Sequence, residues 1–78
     1  MSVYLQLIDM HVGRRIRERR VELGLTQAAL GTALGVRFQQ IQKYEKAKNS
    51  LPAASLPSLA KRLGVAPGYF FEDISWPR

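Results

Sequence analysis

The most informative segment for the fold is LGLTQAALGTALGVRFQQIQKYEKAKN, residues 23–49 of a chain of 78. Thr26 stands before an apolar-periodic segment and predicts the N-cap of a helix that ends near Leu34. Gly35 then predicts a tight turn into another helix, over about residues 38–46. The fold therefore depends on two short helices joined by a tight turn, and the rest of the chain must cover them.

The helix over residues 38–46 has two chemically different faces. Positions three and four apart share a face of a helix, so Ile41, Tyr44 and Glu45 lie together and point inward. The other side carries amides and lysines, namely Gln39, Gln42, Lys43 and Lys46. An inward carboxylate needs a partner, because burying it alone costs several kcal/mol.

The first helix offers that partner. It is predicted over residues 9–23, and its apolar stripe of Val12 and Ile16 reaches Arg20 one turn later. Two opposite charges on inward faces predict an ion pair between Arg20 and Glu45. The alternative is that both side chains extend into solvent.

The remaining segments also follow helical spacing. Gly24 ends the first helix, a helix is predicted over about residues 55–63, and Pro67 begins a short fifth helix that ends near Phe71. The further inward-facing residues are predicted to be Leu23, Leu30, Ala33, Leu34, Leu56, Leu59, Ala60 and Leu63. No segment alternates as a strand does, so the sequence predicts an all-helical domain.

Composition narrows the class of protein. The length fits one domain, 46% of the residues are hydrophobic, cysteine is absent, and the net charge is +6. The basic residues form two groups: Arg14, Arg15, Arg17, Arg19 and Arg20, then Arg37, Lys43, Lys46 and Lys48. Such asymmetry favours a polyanionic partner, and the alternative is an ordinary solvated basic surface.

The N-terminal run VYLQLI is apolar but much shorter than the roughly 20 residues that span a bilayer. It also lacks the basic leader and cleavage site of a signal peptide. We therefore expect a cytoplasmic protein with no membrane partner.

The titratable residues do not form a catalytic pattern. The single histidine, His11, lies two residues from Asp9, which places the two side chains on different helix faces. Glu72 and Asp73 are adjacent near a terminus and are predicted to be solvated. No glycine-rich phosphate loop and no metal-ligand spacing occurs in the sequence. We expect no enzymatic activity, no cofactor and no metal site.

The order of these residues resembles the core of the Cro/cI-type helix-turn-helix (Xre) family of DNA-binding regulators. The closing segment LAKRLGVAPGYFF is similar to the last two helices of that family, so the resemblance covers about residues 12–71. The matching residues are Arg20, Thr26, Gln27, Leu30, Leu34, Gly35, Val36, Ile41 and Glu45. The resemblance implies a compact five-helix lambda-repressor-like domain, with the helix-turn-helix formed by helices 2 and 3. On this basis the chain divides into an N-terminal apolar extension (1–8), a DNA-binding domain (9–71) and a C-terminal tail (72–78).

The resemblance also implies roles for individual residues. The base-reading positions are Phe38, Gln39 and Lys43. The positions that contact the DNA backbone are Gln27, Gln42, Lys46, Lys48 and Asn49, and Gln27 can instead contact a neighbouring side chain. Arg20 and Glu45 match a structural ion pair of the family.

Three residues depart from the family pattern. Arg37 stands where Ser or Thr usually caps a helix, so we expect it either to contact a DNA phosphate or to be a tolerated surface residue. Ala47 replaces a glycine, so the loop is either strained or differently shaped. Phe38 cannot hydrogen-bond, and its ring either touches a thymine methyl group or folds back over Ile41.

The resemblance implies a sequence-specific, double-stranded DNA-binding transcriptional regulator that represses by occlusion. One small module reads few base pairs, so we expect a homodimer on a palindromic operator. We expect the dimer to form through the tails or the C-terminal helices. Apolar residues outside the helices, including Leu5, Ile74 and Trp76, are predicted to contribute to it; the alternative is that they cover the core. The alternative function is a protein-binding module, such as the antitoxin of a toxin–antitoxin pair, with DNA binding secondary.

Overall fold

The computed structural model describes residues 2–75, which form four α-helices and two 3-10 segments. In chain order these are α1 (Val3–Glu22), α2 (Gln27–Leu34), α3 (Phe38–Glu45), the first 3-10 segment (Ala53–Ser55), α4 (Leu56–Leu63) and the second 3-10 segment (Pro67–Phe71). No strand occurs among the described residues, so the prediction of an all-helical fold is confirmed. None of these helices is long and apolar enough to cross a membrane.

α1 begins earlier than the sequence predicts. The expected start was Asp9, but the helix begins at Val3 and continues for 20 residues. The hydroxyl of Ser2 accepts a hydrogen bond from the backbone N–H of Tyr4 at 3.1 Å and so caps the helix. No proline or glycine interrupts the chain before Gly13, and the apolar residues predicted as an extension therefore continue the first helix.

The predicted fifth helix is wrong in type. Pro67–Phe71 forms a five-residue 3-10 segment, which leaves four α-helices instead of five. Pro67 has no N–H to donate, Gly68 is a poor helix former, and Glu72 is already extended with φ −65° and ψ 142°. A segment this short cannot complete the hydrogen-bonded turns that stabilise an α-helix.

A single apolar core joins all four α-helices and the second 3-10 segment. Its fully buried side chains are Ile16, Leu30, Ile41, Leu59, Leu63 and Phe70. Two predicted core residues lie outside it. Leu23 is 41% exposed because it follows the last turn of α1, and Ala33 lies on the solvent side of α2.

Two arginines of α1 bind the C-terminal part of the domain. Arg15 stacks on the ring of Tyr69, with its guanidinium carbon 3.9 Å from the ring centre, and its Nε donates to the Tyr69 carbonyl at 3.0 Å. Arg19 donates from Nε to the Leu63 carbonyl at 2.8 Å, at the C-terminal end of α4 where a cation is favourable. Much of the first basic group therefore holds the fold together.

Candidate nucleic-acid interface

The turn between α2 and α3 is tight because two glycines permit it. Gly35 has φ 71°, and the Val36 N–H bonds to the Gly31 carbonyl at 2.9 Å. A Cβ atom on Gly31 would lie 2.6 Å from the Val36 carbonyl oxygen, a separation that real Cβ atoms do not show. Gly31 was not among the predicted site residues, although a glycine inside a helical pattern is a known signal of close packing.

α2 begins as the sequence predicts. The Thr26 hydroxyl accepts a hydrogen bond from the Ala29 N–H at 3.0 Å, so this N-cap is confirmed. α3 lacks such a cap, because Arg37 has the extended N-cap backbone but makes no side-chain cap hydrogen bond. The side chain of Arg37 is exposed at the positive end of α3.

α3 separates its residues into the two predicted faces. Ile41 and Tyr44 are buried, whereas Gln39 and Lys43 are exposed. The outward residues line a shallow surface depression together with residues that follow the helix: Gln39, Gln42, Lys43, Lys46 and Lys48. We call this depression the α3 groove; it is lined by amides and lysines and has no carboxylate among its lining residues.

Phe38 lies at the first position of α3 and is 47% exposed. It does not belong to the buried core cluster, whose α3 members are Ile41 and Tyr44. Of the two alternatives that the sequence left open, the structure places this ring at the surface. The ring therefore extends the outward face of α3 with an apolar group.

The inward carboxylate of α3 is paired with the first helix. Arg20 donates from Nε to Oε2 of Glu45 at 2.6 Å and from Nη2 to Oε1 at 3.0 Å, a two-pronged contact. The side chains of Arg20 and Glu45 are only 12% and 3% exposed. Arg20 also donates from Nη1 to the Leu25 carbonyl at 2.9 Å, and Gln27 donates from Nε2 to Oε1 of Glu45 at 3.1 Å. This network joins α1, α2 and α3 at one carboxylate.

The loop after α3 is held by two side-chain hydrogen bonds whose pairings the sequence did not predict. Gln40 donates from Nε2 to Oδ1 of Asn49 at 3.2 Å, and Ser50 donates from Oγ to Oδ2 of Asp9 at 2.6 Å. Ala47 has φ 58°, a left-handed backbone conformation that is strained for an alanine. The helix thus ends as a glycine would end it, and the loop is strained rather than reshaped.

Asp9 and His11 have separate partners. Asp9 bonds to Ser50, whereas His11 is buried with its Nδ1 3.2 Å from Nη2 of Arg14. Residues 2–75 contain no group of three or more His, Cys, Asp or Glu residues arranged to hold a metal ion.

Comparison with known proteins agrees with this architecture. The family described as Helix-turn-helix matches residues 16–70. The chain is 54% identical over 67 residues to the uncharacterized HTH-type transcriptional regulator y4aM of Sinorhizobium fredii, covering 86% of this chain and 47% of that protein. The chain spans about half the length of the first curated relatives that it matches.

Two solved structures share the fold. The c2 repressor of Salmonella phage P22, solved in complex with the synthetic operator 9T, is 37% identical with a TM-score of 0.71, covering 76% of this chain and 89% of that one. The restriction-modification controller protein C.AhdI of Aeromonas hydrophila is 25% identical with a TM-score of 0.76, covering 81% and 96%. The chain has the tight turn between α2 and α3, the family match over residues 16–70 and these relatives. It therefore belongs to the Cro/cI-type helix-turn-helix family.

Proposed function

We propose that the chain is a sequence-specific DNA-binding transcriptional regulator that acts as a repressor, with α3 in the major groove of double-stranded DNA. The observation that carries this proposal is the α3 groove, where amides and lysines face outward from a helix whose opposite face is buried. DNA phosphates attract such a surface, and the major groove is wide enough to admit one helix. The P22 c2 repressor, which is bound to an operator in its solved structure, supports the same assignment.

Three residues near the start and middle of α3 are proposed to read bases. The amide of Gln39 can pair with the N6 and N7 edge of adenine, and the ammonium group of Lys43 can donate to N7 and O6 of guanine. Phe38 cannot hydrogen-bond, but its exposed ring can touch a thymine methyl group. Each good base contact is worth about 1–3 kcal/mol of discrimination against the wrong base.

The remaining polar residues around α3 are proposed to contact the DNA backbone. They are Gln27, Arg37, Gln42, Lys46, Lys48 and Asn49. Gln27 uses one of the two hydrogens on its Nε2 in the bond to Glu45 and keeps the other for a phosphate. Arg37 is placed at the uncapped start of α3, where a phosphate would offset the unfavourable position of a cation.

We further propose a homodimer that binds a palindromic operator. Val3, Leu5 and Met10 are all more than half exposed on the N-terminal half of α1, which contains no lysine or arginine before Arg14. Two copies that each carry a charge of +6 repel less when they meet through a surface without lysine or arginine. Ile74 is half-buried, and Trp76, the other predicted contact in the tail, lies outside the described residues.

The experiment that tests the function is selection of bound duplexes from a random-sequence pool, followed by sequencing and fluorescence-anisotropy titration at two salt concentrations. Wild type is compared with Gln39→Ala and Lys43→Ala. We expect a palindromic motif, with each variant losing about 1–3 kcal/mol of binding free energy or relaxing one position of the motif.

Lys61→Ala is the matched control, because it removes the same charge from an exposed site outside the α3 groove, beside Ala33 on the surface formed by α2 and α4. It should retain the motif at every position. If all duplexes bind weakly and equally, and binding is lost with added salt, α3 does not read bases. The protein-binding function, with an antitoxin as its example, would then replace DNA recognition.

A further inference from the structure

Three of the four α-helices end in the same way. A glycine with left-handed backbone is followed by an apolar residue whose N–H bonds back to a carbonyl of the helix, as in a Schellman motif. The pairs are Gly24 with Leu25, Gly35 with Val36, and Gly64 with Val65. All three apolar residues pack against the core, so each one anchors the chain as it leaves the helix.

α3 ends with the same backbone but without the apolar anchor. The N–H of Ala47 bonds to the Tyr44 carbonyl at 3.1 Å, and the N–H of Lys48 bonds to the Lys43 carbonyl at 2.8 Å. Lys48 occupies the position that is apolar after the other helices, yet it is exposed and lines the α3 groove. The motif therefore directs a cation outward, and Ala47 adds strain with its φ of 58°.

Two side-chain hydrogen bonds, one to α1 and one to α3, hold the loop where the other helices use an apolar anchor. The shorter of them is the 2.6 Å bond in which Ser50 donates to the Asp9 carboxylate, and the other joins Gln40 to Asn49. Asp9 lies one turn before Gly13, where α1 approaches the end of α3 so closely that a Cβ atom would be 2.4 Å from the Tyr44 carbonyl oxygen. Asp9 therefore has a fixed position relative to the end of α3. Its hydrogen bond to Ser50 holds the loop at that position.

We propose that Asp9 is a positioning residue: through its hydrogen bond to Ser50 it holds the loop over residues 46–50 so that Lys48 and Asn49 meet a DNA phosphate. This inference rests on the proposed function of the α3 groove. A carboxylate near a phosphate-binding loop would by charge alone weaken DNA binding. Its hydrogen bond and its charge therefore have opposite effects on affinity, which makes them separable.

The test compares six proteins on the duplex selected above and on a scrambled duplex, by fluorescence anisotropy between 50 and 300 mM salt: wild type, Asp9→Ala, Asp9→Asn, Ser50→Ala, the double variant Asp9→Ala with Ser50→Ala, and Lys48→Ala. Asn keeps an oxygen that can accept from Ser50 but removes the charge, so Asp9→Asn is the matched control. Thermal melts and the heteronuclear NOE of the backbone amides of residues 48–50 are recorded without DNA.

We expect Asp9→Ala and Ser50→Ala to weaken binding about 3- to 10-fold, and Asp9→Asn to bind as tightly as wild type or more tightly. Losing one phosphate contact makes the slope of log K against log salt concentration less steep by about 0.9, and Lys48→Ala should show this change. Asp9→Ala should change the slope in the same direction. The double variant of Asp9 and Ser50 should be no worse than either single variant, because both remove one bond. The NOE at residues 48–50 should fall in Asp9→Ala and not in Asp9→Asn.

The inference is overturned if Asp9→Ala binds at least as tightly as wild type while wild type binds DNA, since Asp9 would then act only as a negative charge. It is also overturned if the NOE values of the loop are the same in all variants. Failure of the proposed function looks different, because wild type itself would then show no preference for the selected duplex.

Discussion

At the scale of single residues, Glu45 is the polar centre of the domain. Its carboxylate is 3% exposed and accepts hydrogen bonds from both Arg20 and Gln27. The guanidinium of Arg20 also reaches the Leu25 carbonyl, so one side chain ties its own helix to α3 and to the turn before α2. The prediction that these two charges pair came from their positions on apolar stripes, and the structure contains the pair.

Arg20→Ala should lower the free energy of unfolding by about 3–5 kcal/mol, because it leaves a buried carboxylate without its cation. Urea denaturation followed by circular dichroism measures the loss. The control is the double variant Arg20→Met with Glu45→Leu, which removes both charges and should recover most of the stability. A loss below about 1 kcal/mol in the single variant would mean that solvent reaches Glu45.

Ala47→Gly should raise the free energy of unfolding by about 1 kcal/mol, because glycine adopts φ 58° without the clash that alanine suffers. Ala33→Gly is the matched control, since Ala33 is exposed inside α2 and glycine should cost about 0.5–1 kcal/mol there. Thermal unfolding measures both changes. Equal destabilisation by the two substitutions would contradict strain at Ala47.

At the scale of elements, the contact between α1 and α3 determines where the α3 groove lies. Gly13 costs α1 some helix propensity, yet it allows the end of α3 to approach the backbone of α1. Ser2 extends α1 at its start, and Arg15 and Arg19 fasten its second half to the segments after α3. α1 is therefore the element against which α3 and the segments after it are packed.

Gly13→Ala should destabilise the protein by about 1–3 kcal/mol although alanine is the better helix former, because its Cβ atom would overlap the Tyr44 carbonyl oxygen. Gly68→Ala provides the comparison, since a Cβ atom at that position meets nothing within 4 Å. Denaturant midpoints of the two variants should differ clearly. An unchanged midpoint for Gly13→Ala would show that the two helices can separate at little cost.

Arg37→Ser should have opposite effects on stability and on DNA binding. Serine supplies the missing N-cap of α3 and should raise the free energy of unfolding by about 1 kcal/mol. The same change removes a proposed phosphate contact, so affinity for the selected duplex should fall and its salt dependence should flatten. A more stable variant with unchanged affinity would identify Arg37 as a tolerated surface residue.

At the scale of the whole molecule, the exposed surface carries both a basic region and apolar side chains. Lysines and amides surround α3, while the N-terminal half of α1 exposes Val3, Leu5 and Met10. The first surface suits a polyanion and the second suits an apolar partner, which we propose to be a second copy.

Leu5→Glu should weaken the dimer at least about 10-fold, since a charge buried in an apolar interface must be desolvated. Val21→Glu is the control, because Val21 is 56% exposed on the same helix but lies at its other end. Sedimentation equilibrium measures the association of both variants and of wild type. A wild-type protein that remains monomeric at about 50 μM, or equal effects of the two substitutions, would contradict an interface on this half of α1.

The sequence alone predicts the helical class, the turn between α2 and α3, the inward and outward faces of α3, and the inward positions of Arg20 and Glu45. These features are local or periodic: caps, glycine turns and spacings of three and four residues fix them before any packing occurs. Element ends were less accurate, because the start of α1 depends on one cap at Ser2 and the fifth helix was too short for spacing to decide its type.

Which of the charged residues make contacts within the fold depends on the tertiary structure. Arg15 and Arg19 bind backbone carbonyls more than forty residues away, and a carbonyl leaves no signature in residue type. The approach of α1 to α3 at Gly13 and the bond from Ser50 to Asp9 likewise depend on how distant segments pack. The spacing of apolar residues along a helix predicts which way a side chain points. The partner that it contacts there depends on the arrangement of the other helices.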